Sequence, residues 1–141
     1  MKLIKILMSV LVLAVIIQFI PYGKDLTNPQ VLSEPNWDSK ETKVLFERAC
    51  ADCHSNVTKW PWYSKVAPIS WLVYSDVQEG REYFNISMIG KQKKNKIANA
   101  ADELEKGEMP PLIYIVNHPE ANLNKEEKQK LLSGLKTTFK R

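Results

Sequence analysis

Cys50-Ala51-Asp52-Cys53-His54 holds both cysteines of a 141-residue chain and one of its two histidines. Scattered at random, these residues would fall into this order on the order of once in 5,000 sequences. The pentapeptide therefore reads as a built site. With only two cysteines the chain is no multi-disulfide scaffold. The rest of the composition is that of one folded domain, with 26% charged and 44% hydrophobic residues. Removing Lys2 and Lys5, which belong to an N-terminal segment, from the net charge of +4 leaves +2. That is far from the concentrated basic surface of a nucleic-acid binder, and no nucleic-acid partner is expected.

The spacing suits one chemistry in particular. Thiols three residues apart can add to two vinyl groups on one edge of a haem, and the next side chain then turns beneath the ring, where His54 binds iron. Permanent attachment suits an exported protein and leaves no free thiol in an oxidising compartment. Three other readings use the same residues. A thioredoxin-like CxxC needs a strand leading into it and a βαβ frame, and neither is patterned here. A zinc site would take Cys50, Cys53 and His54 and recruit His118, but adjacent Cys53 and His54 have difficulty sharing one tetrahedral ion. A plain disulfide would leave His54 as a surface residue.

Upstream, Ile6 to Ile20 is apolar except for Ser9 and Gln18, and Lys2 and Lys5 precede it. Leu3 to Tyr22 as a helix would span about 30 Å at ~1.5 Å per residue, the thickness of a bilayer core. Pro21-Tyr22-Gly23-Lys24-Asp25 lacks the small residues a signal peptidase needs. Residues 1–22 are therefore expected to be an uncleaved signal anchor, a single transmembrane helix in the inner (cytoplasmic) membrane, with the rest of the chain periplasmic. A cleaved signal peptide is the alternative. Residues 23–38, with Pro29 and Pro35 and no sustained period, read as a tether. Residues 39–141 make the domain.

The domain's pattern is all-α. Asp38 with Glu41 suggests a capping box for a first helix ending near Ala49. Pro68 opens a second, with Ile69, Leu72, Val73 and Val77 on one face and Phe84 near its end. Ile97, Ala101 and Leu104 mark a third that Gly107 stops. Asn124 with Glu127 caps a last helix carrying Leu131, Leu132, Leu135 and Phe139. No stretch alternates long enough for a strand. Loops are expected at 50–67 and 107–123, unusually long for so small a domain. A core this thin calls for a cofactor at its centre.

A six-coordinate iron takes a second axial ligand. Met109, in Gly107-Glu108-Met109-Pro110-Pro111, sits beside two prolines that fix the backbone, and a thioether suits haem iron. His118 is the alternative and would give a bis-His iron of lower potential. Met88 reads as local packing, and Met1 and Met8 lie in the anchor. Trp60, Trp62, Tyr63 and Trp71 are candidates to wall the haem, with Pro110 beside Met109; ordinary core filling explains the aromatics equally. Arg81 reads as a propionate partner or a surface salt bridge. Lys91, Lys93, Lys94 and Lys96 read as a solvated face or a steering patch for an acidic redox partner. Asn56-Val57-Thr58 and Asn85-Ile86-Ser87 match a glycosylation pattern at a length expected by chance.

These segments together resemble the haem-binding domain family of small, membrane-anchored bacterial c-type cytochromes. Cys50-Ala51-Asp52-Cys53-His54 is generic to c-type cytochromes; Ala67-Pro68-Ile69-Ser70-Trp71-Leu72, Asp76-Val77-Gln78-Glu79-Gly80-Arg81-Glu82 and His118-Pro119-Glu120-Ala121 follow the family's order, and Trp60-Pro61-Trp62-Tyr63 and Gly107-Glu108-Met109-Pro110-Pro111 make the match specific. The chain departs from the pattern at Ser133-Gly134-Leu135, where a Trp is common. The resemblance implies a class I cytochrome c-like helical fold around one covalent haem c held by Cys50 and Cys53, with His54 proximal and Met109 distal. The function expected is electron transfer with redox partner proteins rather than enzymatic turnover. A haem enzyme or gas sensor, peroxidase-like with an open or displaceable distal site, is the alternative, and a non-haem metal module is a third reading.

Overall fold

The uncharged run after Lys5 forms α1 (Lys2–Ile16), which a 3-10 turn extends to Phe19. In the computed structural model, which describes residues 1–139, no residue of this segment is buried, and it is long and apolar enough to cross a membrane. Residues 140 and 141, the end of the expected domain, lie outside the described residues. Six further α-helices follow among the described residues, without a strand: α2 (Lys40–Ala49), α3 (Ala51–His54), α4 (Ile69–Tyr83), α5 (Ala100–Lys106), α6 (Leu112–Asn117) and α7 (Lys125–Thr138).

The caps explain the boundaries. Ser39, one residue past the expected Asp38, caps α2 by accepting the Thr42 amide at 3.1 Å. Asp38 is used elsewhere: its amide donates to Thr138 Oγ1 at 3.1 Å, and that hydroxyl donates to its carboxylate at 3.2 Å, joining the two ends of the domain. At α7 both halves of the capping box form, Asn124 accepting the Glu127 amide and Glu127 accepting the Asn124 amide, each at 2.9 Å. Gly107 ends α5 at φ +80°, a left-handed conformation natural to glycine.

The two expected loops are partly helical. Residues 50–67 begin with the single turn α3, in which the His54 amide donates to the Cys50 carbonyl at 3.0 Å. Residues 107–123 contain α6, whose Leu112-Ile113-Tyr114-Ile115-Val116 run carries three β-branched residues and is too short to show a helical period. Pro111 starts it from outside, its carbonyl accepting the Tyr114 amide at 3.0 Å and the Ile115 amide at 3.1 Å.

Two glycines let helices approach closely, one seating a side chain and the other a backbone. α2 and α7 cross at Gly134, where an added Cβ would lie 2.0 Å from Thr42 Oγ1. The departure at Ser133-Gly134-Leu135 is thus a notch that seats α2. α3 and α4 meet at Gly80, where a Cβ would lie 2.6 Å from the Cys53 carbonyl oxygen. Around the first crossing sit fully buried Phe46 and Leu131, with Leu45, Phe84, Leu104, Leu132 and Leu135.

α4 differs from expectation. Val77 is buried, but Ile69 is 47% and Leu72 66% exposed. The buried face runs through Ser70, Val77 and Arg81, because α4 packs its Gly80 side onto α3 and leaves Ile69 and Leu72 of the predicted apolar stripe uncovered. The segment expected as a tether lies along the domain: the Leu32 and Ser33 amides donate to the Ser87 carbonyl at 2.9 and 3.1 Å, and Asn28 donates to the Thr58 carbonyl at 2.9 Å. A chain without its own secondary structure satisfies its backbone groups on a neighbour.

Candidate functional site

Gly80 places the motif. Its missing side chain admits α3, and its carbonyl accepts from His54 Nδ1 at 2.9 Å, with the Phe84 carbonyl 3.2 Å from the same nitrogen. Because carbonyls only accept, Nδ1 carries the proton, and Nε2 keeps a lone pair with no protein partner among the described residues. The ring stacks on Phe84 with centroids 4.0 Å apart and planes 10° apart. Burial pushes the imidazole below its ordinary pKa, against the pull of the two carbonyls. The result is a neutral, immobilised imidazole.

His54 stands in the wall of a cavity of about 490 Å³, together with Cys50, Cys53 and Met109. The remaining wall is largely apolar: Phe46, Phe84 and Leu104 from the core, Pro110, Pro111 and Ile113 from the chain after α5, with Asp76, Glu79, Glu103 and Tyr114 also present. This volume lies within the roughly 300–1,000 Å³ typical of cofactor clefts. The two thiols are unbridged. Burial, followed by the charge of Cys53 for Cys50 and of Asp52 and Asp76 for Cys53, pushes both thiols up to about 12, so they are protonated at neutral pH. No group of three or more His, Cys, Asp or Glu side chains among the described residues converges to hold a metal ion, so the zinc reading has no geometric support.

The residues behind the motif are polar. Arg81 is buried, with Nε donating to the Ser55 carbonyl at 2.9 Å and Nη2 donating to Asn28 Oδ1 at 2.8 Å and Thr58 Oγ1 at 2.9 Å. It is therefore neither a surface salt bridge nor part of the cavity wall. Asn85 Nδ2 donates to Asn56 Oδ1 at 2.6 Å, and the Asn56 amide donates to Ser87 Oγ at 3.0 Å. Both asparagines are buried, which removes the two glycosylation matches from the surface. Asp52, between the cysteines, accepts the Lys59 amide at 2.8 Å and the Tyr114 hydroxyl at 2.7 Å, linking the motif to α6 at the cavity. Burial and that carboxylate keep the Tyr114 phenol protonated far above its ordinary range.

Of the predicted site residues, the structure brings Cys50, Cys53, His54, Met109 and Pro110 to one cavity. His118 lies off it, stacked on Tyr114 at 4.2 Å, its Nε2 3.5 Å from the Tyr63 hydroxyl and its Nδ1 3.2 Å from the Tyr114 carbonyl. Trp60, Trp62, Tyr63 and Trp71 do not line it either. Trp60 packs under Arg81, whose guanidinium carbon is 6.0 Å from its ring, Trp62 is 78% exposed, and Tyr63 turns toward His118. Gly23 backs against the Trp71 backbone on a face of α4 turned to the lead-in segment. Phe84, Gly80 and Tyr114 were not singled out from sequence for the site. Their roles depend on which helices meet, and only Asp52, placed inside the motif, offered a signal.

A helical domain with an apolar cleft, paired thiols and an imidazole held neutral defines a cofactor-binding protein. The chain belongs to the haem-binding domain family, whose pattern matches residues 12–137. No curated protein and no solved structure is detectably similar to it. The cavity residues fit a haem: an apolar enclosure, an unprotonated imidazole nitrogen, a soft thioether and two protonated thiols.

Proposed function

We propose that this protein is a membrane-anchored periplasmic monohaem c-type cytochrome, an electron carrier with a class I-like helical fold and a His/Met-ligated haem c. The observation that carries the reading is the meeting of Cys50, Cys53, His54 and Met109 on one cavity, with His54 Nδ1 bonded to the Gly80 carbonyl. Cys50 and Cys53 would be the attachment points, where each S–H would add across a vinyl C=C, sulfur to one carbon and hydrogen to the other, with no outside oxidant consumed. When bound, the haem supplies a one-electron ferric/ferrous couple.

The chain's residues do the rest. Gly80 and Phe84 orient the imidazole and raise its basicity through Nδ1. Phe46, Phe84 and Leu104 exclude water, which favours the less charged reduced state and raises the potential. Met109, on the cavity wall, would hold the iron opposite His54 and leave no open site, as a carrier requires; His118, the other distal candidate, is not on that wall. Lys2 and Lys5 stay cytoplasmic while α1 spans the inner membrane. Leu112, Ile113 and Val116, between 68% and 77% exposed beside the cavity, are suited to a redox partner protein.

Absorption spectra of the matured protein test this. The expected wild type is low-spin, with a thioether-to-iron charge-transfer band in the ferric state and colour that stays with the chain after denaturation. Met109→Ala is expected to lose that band and His118→Ala to keep it. Loss in the His118 variant alone reverses the ligand assignment, and a colourless chain overturns the whole reading.

A further inference from the structure

The uncovered stripe on α4 lies where α1 ends. Gln18, in the last turn of the apolar segment, grips one residue of the domain with both ends of its amide: Nε2 donates to the Ala67 carbonyl at 3.0 Å, and Oε1 accepts the Ala67 amide at 3.0 Å. A second lock follows at once. Tyr22 packs edge-on to Tyr74 at 5.4 Å, and Gly23 passes so close to α4 that a Cβ would lie 3.0 Å from the Ser70 carbonyl oxygen. The family pattern itself begins at residue 12, inside α1. The anchor and the domain are therefore joined through specific bonds.

Apolar side chains cluster in sequence about that grip. Val66, Ile69 and Leu72, at three-residue intervals on either side of the gripped Ala67 and Pro68, are 43%, 47% and 66% exposed. On the anchor side Phe19, Ile20 and Tyr22 are 78%, 40% and 51% exposed. Lys24 and Lys65 are exposed beside them in sequence, suited to anionic headgroups. A stripe this apolar is unusual facing water, but it is ordinary at the level where a helix leaves a bilayer.

We infer that the apolar face made by Ile69 and Leu72 on α4, with Val66 just before it, rests in the lipid interface of the membrane that α1 enters, and that the Gln18–Ala67 bonds set this orientation. The inference rests on the anchoring reading. It has a geometric consequence for the site. Asp76 and Glu79, on the cavity wall, follow Leu72 by four and seven residues on the same side of α4, about 6 and 10 Å along the axis. The cavity mouth is thus held within a few turns of the bilayer surface, and partners reach it along the membrane.

The test uses the full chain, matured and reconstituted in bilayer nanodiscs of phosphatidylcholine and phosphatidylglycerol. A photoreactive p-benzoylphenylalanine is placed in turn at Leu72, at Leu11 in α1, and at Lys93 in the exposed loop after α4. Lys96 of that loop bonds the Tyr83 carbonyl, about 21 Å along α4 from Ile69. After irradiation, lipid adducts are counted by mass. The expected result is adducts at Leu11 and at Leu72, the latter several-fold above Lys93. Adducts at Leu11 with Leu72 no higher than Lys93 overturn the seat and leave the anchor standing. No adducts at Leu11 overturn both. Chain-to-chain adducts at Leu72 also overturn it, since a second copy would then be what covers the face.

Discussion

The two sides of the cavity are built from different materials. Toward α2 and α7 the wall is Phe46, Leu104 and Leu135, part of an apolar core that continues to Leu131 and is held by area removed from water. Toward the chain after α3 it is backed by Arg81, Ser55, Asn56, Thr58, Asn85 and Ser87, all buried and joined by directed hydrogen bonds. The apolar side supplies stability and tolerates approximate shapes. The polar side contributes less net free energy per contact but admits one arrangement, because a buried donor left without a partner is costly. That is the side against which the haem motif is registered.

The largest effect is expected on the apolar side. Phe46→Ala, which empties a fully buried position, should cost about 3–5 kcal/mol in denaturant unfolding. Phe46→Leu should recover most of that loss, because hydrophobic fit there is forgiving. If Leu proves as damaging as Ala, the core is less tolerant than the comparison holds.

On the polar side the order reverses. Arg81→Met should cost about 3 kcal/mol by breaking three hydrogen bonds at once. Arg81→Lys should remain nearly as damaging although the charge is kept, since an ammonium lacks the planar fork that reaches Ser55, Asn28 and Thr58 together. Rescue by Lys, measured as the unfolding midpoint, would break the contrast between the two sides.

Legibility followed the same division. Helices α2, α5 and α7 were visible because their apolar residues recur at helical spacing and their ends carry cap signals, as at Asn124 and Gly107. The motif was readable from the rarity of its spacing, and Met109 from its proline-fixed surroundings. The stripe of α4 was periodic too, yet the periodicity does not say whether protein or another phase covers it. Helix α6 escaped because six residues rich in β-branching carry no period. The aromatics stay ambiguous in sequence for a related reason: Trp60, Trp62, Tyr63 and Trp71 are bulky wherever they lie, and bulk alone does not say that they stand off this cavity. The roles of Gly80 and Tyr114 arise only when distant segments meet.

The smallest effect is electrostatic and marks the edge of the apolar side. Glu127 is held below the ordinary carboxylate range, first by Arg48 at 2.6 Å and then by the Asn124 amide. A carboxylate with a depressed folded pKa stabilises above its unfolded pKa and loses that contribution as the pH falls through the folded value. Unfolding midpoints of wild type and Glu127→Gln should therefore differ slightly at neutral pH and converge in acid. A gap that persists at low pH would assign the effect to the cap's neutral hydrogen bonds instead.

Gly80 gives the cofactor cleft one rigid jaw and leaves the other adjustable. With α3 and α4 touching backbone to backbone and the same residue bonding the imidazole, neither helix can slide without losing both contacts. Any settling as the cleft takes its cofactor would then be taken up opposite, where Met109 is 39% exposed and its amide is 3.3 Å from the Glu103 carbonyl. A vice of this kind is adjusted from its loose side, so the segment between α5 and α6 is where this chain would fit itself to the haem.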